Sequence, residues 1–268
     1  MLKDITLGQY FPGDTVVHRL DPRTKLILVI VFIAALFLAV DWIGYAVMFA
    51  VTALCVRVST IKLKSLLKGL KPLIFIILLT GILNLFYTKE GTVLFDWWIF
   101  TVTTGGIKRA FLMVVRIMLL VCGTLLLTYT TSPLALTDGL EMLLNPLKKI
   151  KVPVHEMSMM MSMALRFIPT LIEETDKIMS AQKARGADFS TGKLTERAKA
   201  LLPLLVPLFV SSFRRADELA VAMESRCYHG GEGRTRMKTL RLARRDWLAF
   251  LAGALVLAGM IVLRVYGL

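Results

Sequence analysis

Five runs of almost unbroken apolar sequence, at 26–40, 43–56, 72–87, 107–131 and 247–263, leave this chain few places to fold. With 268 residues and 56% hydrophobic content it holds more apolar side chain than one soluble core can hide, yet its formal net charge is +14. That combination fits an all-α polytopic membrane protein whose basic residues lie in cytoplasmic segments. On a soluble protein the same charge would raise nucleic acid as a partner; here the apolar runs make membrane lipid the partner instead. The fourth run, of 25 residues, exceeds the ~20 that a helix needs to cross the hydrocarbon layer, and the third and fifth, of 16 and 17, can span with their flanking residues. The first two hold about 15 residues each and read as a tight helical hairpin turning at Asp41-Trp42. About 25 mixed polar residues precede the first run, so no cleavable signal is expected.

Basic residues set the expected orientation. With the N-terminus in the cytoplasm, 28 of the 33 lysines and arginines fall on the inner side, among them Lys62, Lys64, Lys68 and Lys71 after the second run. Lys108 and Arg109 fall on the outer side. The segment 91–106, with Trp97 and Trp98, reads as an external loop anchored by aromatic rings. The expected organisation is a membrane region of four spans at 1–131, a cytoplasmic domain at 132–245 and a fifth span within 246–268.

The segment 132–245 is not a hydrophilic loop. Its apolar stretches are too short or too interrupted to span, and they read as long, crossed amphipathic helices. Two stretches in it, 41 residues apart, repeat one pattern. Ala184-Arg185-Gly186 and Ser225-Arg226-Cys227 each set a lone arginine between small residues at a helix end. Each arginine follows an aspartate by nine residues and an alanine by four. A guanidinium there is favoured by the carbonyl end of the helix and is free to enter a groove on another protein. The two tips therefore read as a double plug for a dimeric partner. Leu171, Thr175, Ile178 and Gln182 mark one face of the first helix, and Ala216, Leu219, Ala220 and Met223 mark that of the second. Alanine on these faces predicts a close crossing.

Five methionines fall within seven residues, Met157, Met159, Met160, Met161 and Met163, followed by Arg166-Phe-Ile-Pro169. Flexible thioethers repack against differing surfaces, which suits exchangeable partners as well as ordinary interfacial packing. Arg116 lies well within the fourth span and is either functional or a bundle-stabilising pair. The run from Gly186 to Gly192-Lys193-Leu194 is no phosphate-binding loop. Five residues separate its glycines, Leu194 replaces the hydroxyl residue, and a helix precedes it. Cys55, Cys122 and Cys227, like His18, His155 and His229, are scattered, so no disulfide or metal site is expected. No catalytic carboxylate pair or serine–histidine arrangement is visible, and Glu173, Glu174 and Asp176 read as ordinary helix-face charges.

His18-Arg-Leu-Asp21-Pro22-Arg23-Thr-Lys25, Thr131-Ser-Pro133, Ala164-Leu-Arg166-Phe-Ile-Pro169 and the two arginine tips, the second within Met223-Glu-Ser225-Arg226-Cys227-Tyr228, together resemble the EcfT, or CbiQ-like, family of energy-coupling factor transporters. The second tip departs from the family's usual Ala-Arg-Gly. The resemblance implies a non-catalytic coupling subunit that docks one tip on each of two ABC-type ATPase subunits (EcfA and EcfA′). It implies no cofactor on this chain, with ATP and Mg on those partners. It also implies a separate substrate-binding S component, shared or exchangeable, for a vitamin or metal ion. Its contact surface is expected at Met157, Met160, Met161, Arg166, Pro169, Pro203 and Pro207. A self-contained secondary carrier would need midplane polar sites and paired halves. A lipid enzyme would need an interfacial catalytic cluster, and a membrane regulator could keep the tips.

Overall fold

The computed structural model describes residues 10–88, 91–97, 100–187, 189, 194–230 and 240–266. The chain divides into two compact units, one comprising 8–142 with 240–268 and the other holding 143–239.

The first unit is a helical bundle. Its helices are α1 (Pro22–Leu38), α2 (Trp42–Ser59), α3 (Leu63–Leu70), α4 (Ile74–Tyr87), α5 (Thr104–Thr130), α6 (Pro133–Leu144) and α9 (Arg244–Val265). Among the described residues, four helices are long and apolar enough to cross a membrane: α2, the continuous Leu63–Tyr87 helix formed by α3 and α4, α5 and α9. Only 6–28% of each crossing window is buried, so most of its apolar side chains face outward, as lipid requires. α1 has 17 residues, about 26 Å of helix, and falls short of the ~30 Å hydrocarbon thickness, so four of the five expected spans are found among the described residues. The lysine-rich segment is continuous with the third span, Pro72 being accommodated in the 3-10 turn Lys71–Leu73.

Ala35, Leu36, Ala39, Tyr45, Met48, Leu112, Leu119 and Met260 form the buried core. α1 reaches α5 closely because Gly123 has no side chain: a Cβ there would lie 2.6 Å from the Phe32 ring. α1 and α2 turn at Ala39–Asp41, so the predicted Asp41-Trp42 turn is shared at Asp41 while Trp42 opens α2, and α5 holds the turn. Arg116 Nη2 donates to the Ala39 carbonyl at 2.9 Å, and its guanidinium lies 5.7 and 5.6 Å from the Phe37 and Tyr45 ring centres. Lys108, on the outer side in the expected orientation, pairs with Asp41 at 2.7 Å. Of the two alternatives for Arg116, the bundle-stabilising one matches these contacts.

Between α4 and α5 the expected loop contains a hairpin of β1 (Val93–Trp97) and β2 (Phe100–Thr103), paired antiparallel. Trp98 lies outside the described residues. Thr103 caps α5, its Oγ1 accepting from Gly106 N at 3.0 Å and donating to Thr88 O at 2.8 Å.

The motif around His18–Lys25 folds into a polar lock. Asp21 caps α1, accepting from Arg23 N at 2.9 Å and pairing with the Arg23 guanidinium. The Lys25 ammonium, 5% exposed as a residue, donates to Thr130 O (2.9 Å), Thr131 Oγ1 (3.2 Å) and His18 O (3.2 Å). Asp246 of α9 is equally buried and accepts from Asp21 N and Ala243 N, both at 2.8 Å. Burial without such partners would cost several kcal/mol per charge. The three polar segments therefore tie the starts of α1 and α9 to the end of α5.

The second unit contains the 3-10 segment Asn145–Ile150, α7 (Val154–Ala184) and α8 (Leu194–Glu224).

Candidate docking site on two long helices

α7 and α8 each have 31 residues, about 46 Å of helix. Both end the same way. At the first end, Gly186 N donates to Lys183 O at 2.9 Å and Ala187 N to Gln182 O at 3.0 Å. At the second, Cys227 N donates to Glu224 O at 2.8 Å and Tyr228 N to Met223 O at 3.1 Å. These are matching 5→2 and 6→1 bonds of a Schellman motif, and each puts its arginine in the same capping position. The motif needs a left-handed residue directly after the arginine. Gly186 fills it at φ +89°, and Cys227 fills it at φ +54° despite its side chain. The repeat in sequence is thus a repeat in backbone geometry, and the Gly-to-Cys departure leaves that geometry in place.

Ala184, Arg185 and Gly186 are exposed, as are Ser225, Arg226 and Cys227. Their backbone amides are bonded within the helix ends, but neither the Arg185 nor the Arg226 side chain forms a hydrogen bond or ion pair with a described residue. Two capped helix ends each present an unpaired guanidinium flanked by small side chains, the arrangement that buried carboxylate or carbonyl acceptors on a partner would complete. Gly192 and Lys193, part of the rejected phosphate-loop reading, lie outside the described residues.

The helices cross away from the tips. Leu171 and Thr175 of α7 face Leu205, Val206, Leu208, Phe209, Val210 and Ser212 of α8 across an open, mainly apolar groove of about 510 Å³. The alanines Ala216 and Ala220 are exposed, so the predicted alanine-lined crossing is not the one formed. Polar side chains stand at the crossing instead. Glu174 accepts from Ser211 Oγ and pairs with Arg215, so it is an inter-helix partner and not an ordinary surface charge. Its sequence signal was faint, one carboxylate among three in four residues.

Toward its start, α7 exposes Met157, Met160 and Met161, with Arg166 and Pro169 also exposed. On α8, Pro203 and Pro207 are exposed. Beside them runs a stripe that hydropathy alone did not assign to a surface: Leu202, Leu205, Val206, Phe209 and Phe213, exposed at spacings of three and four. Among the described residues, no group of three histidine, cysteine or acidic side chains is placed to hold a metal ion.

A multi-pass helical membrane protein with a separate unit of two long helices, each ending in a capped and unpaired arginine, is the class these features define. Residues 13–238 match the cobalt transport protein (CbiQ) family, and the chain belongs to that family. It is 55% identical over 248 residues to an energy-coupling factor transporter transmembrane protein EcfT of Ruminiclostridium cellulolyticum, covering 92% of each chain. The relative of the same name from Thermosediminibacter oceani is 54% identical over 98% of this chain and 99% of its own. That from Bacillus subtilis is 49% identical over 97% and 98%.

Proposed function

We propose that the chain is the coupling component of an energy-coupling factor importer, carrying the motion of two ATPase subunits to a substrate-binding membrane subunit. The observation that carries this reading is the pair of identically capped arginine ends, one per long helix, each without a partner among the described residues. Two equivalent plugs call for two equivalent sockets, which a dimer of ABC-type ATPases supplies. The relatives' names supply the transporter class. The N-terminus is cytoplasmic in this proposal, as the distribution of basic residues favours.

In the proposed cycle, ATP and Mg bind on the partner subunits and close their dimer. Arg185 and Arg226 move with their sockets, and α7 and α8 change their crossing. The methionine-rich start of α7 and the apolar stripe of α8 face the S component, which captures a vitamin or metal ion and is reoriented by that change. Exposed thioethers and exposed apolar side chains suit a surface that accepts more than one such partner.

Co-purification of the chain with both ATPases in detergent tests the reading. Truncating an arginine buried against partner acceptors costs about 2–5 kcal/mol, so Arg185→Ala/Arg226→Ala should weaken association at least ~30-fold and abolish uptake. A double variant that binds the ATPases and transports as the parent does defeats the proposal.

A further inference from the structure

Besides their tips, α7 and α8 share a second pair of equivalent positions. Glu174 lies eleven residues before Arg185, and Arg215 lies eleven residues before Arg226. These two side chains meet, Arg215 Nη2 donating to Glu174 Oε2 at 3.0 Å. Ser211 donates to the other carboxylate oxygen, and the Arg215 guanidinium stands over the Phe167 ring of α7 at 5.8 Å. The side chains of the pair are only 27% and 25% exposed, so water screens them far less than a surface pair.

The spacing gives this contact its significance. Eleven residues advance a helix by about 16 Å and return it to within ~20° of the same face. Each tip therefore stands on an arm of equal length measured from the contact. Pro169, Pro203 and Pro207 all precede the paired positions, and the arms 174–184 and 215–224 contain neither proline nor glycine. Bending at proline is confined to the far side of the crossing, and the arms are uninterrupted helix. With stiff arms, the crossing sets where the tips are.

We propose that Glu174, with Arg215 and Ser211, is the pin of this crossing and sets the separation of the two arginine tips. For arms of ~16 Å, a 10° change in crossing angle moves the tips apart or together by up to about 3 Å. That is enough to make or break a hydrogen bond at a socket. The three are positioning residues: they act on the docking points through the helices. The importance of tip separation rests on the docking reading above, but the separation is a property of this chain alone.

Nitroxides at the exposed, small positions Ala184 and Ser225 measure it directly. Pulsed electron paramagnetic resonance is done on the full chain in lipid nanodiscs, without ATPases, after Cys55→Ala, Cys122→Ala and Cys227→Gly. One narrow distance is expected in this background, broadened or displaced by up to about 3 Å in Glu174→Ala and in Arg215→Ala. The reversed pair Glu174→Arg/Arg215→Glu should restore the narrow distance. Glu174→Gln keeps the shape and loses only the charge, and it serves if the alanine variant fails to fold. Single variants that retain the parent distance, or a reversed pair as disordered as the singles, overturn the proposal. Failure of ATPase docking leaves this result standing, so the two readings fail separately.

Discussion

Cys227 occupies a backbone conformation that glycine fills at the other tip, and replacing it tests whether the two ends are one device. An L-residue in the left-handed region lies roughly 1 kcal/mol above glycine, because its Cβ crowds the following carbonyl. Part of that gain is returned, since glycine is freer in the frayed state. Cys227→Gly should therefore stabilise the second helix end by about 0.5–1 kcal/mol. The amides at 227 and 228, bonded to Glu224 O and Met223 O, close that end. Their hydrogen exchange should slow about two- to fivefold, at ~1.4 kcal/mol per factor of ten. The mirror experiment is Gly186→Ala. A Cβ there meets nothing within 4 Å, so backbone strain at φ +89° is the whole cost. Exchange at 186 and 187 should quicken by a similar factor. Mass spectrometry of short peptides covering 181–187 and 221–229 reads both. Equal signs in the two variants, or no change in Cys227→Gly, would refute the shared geometry.

Two further substitutions probe the bundle. Lys25→Met removes the donor to Thr130 O, Thr131 Oγ1 and His18 O. At about 1–3 kcal/mol for each buried acceptor left unpaired, it should lower the melting temperature in detergent by several degrees, as followed by fluorescence-detected size exclusion. Arg116→Met takes away the cap on the end of α1 and the contacts with Phe37 and Tyr45. A loss of about 1–3 kcal/mol is expected in the same assay; unchanged melting would mean the α1–α2 turn holds itself.

Much of the site was legible along the chain because its signals are local. A helix end is set by a few consecutive residues, so two arginines followed by a glycine and a cysteine revealed both tips and their equivalence. The turn that ends at Asp41 was readable for the same reason, whereas the methionine run alone did not say whether those side chains are exposed or packed. The crossing was not. Ala216 and Ala220 made an alanine-lined approach plausible, but both are exposed and the helices meet through Glu174, Ser211 and Arg215, three turns before the tips. Glu174 shared its stretch with Glu173 and Asp176, and charge alone does not say which carboxylate faces a neighbouring helix.

The length of an apolar run, the cost of leaving peptide groups bare in lipid and the chemistry of a helix end are quantities summed over neighbours in sequence, so membrane residence, helical class and the arginine ends follow from residue order. Which charges meet depends on how whole helices rotate and cross. Lys25 reaching Thr130, Asp21 meeting Asp246 and Glu174 pairing with Arg215 join residues 105, 225 and 41 positions apart. No periodicity along one helix contains the orientation of another; packing in three dimensions sets it.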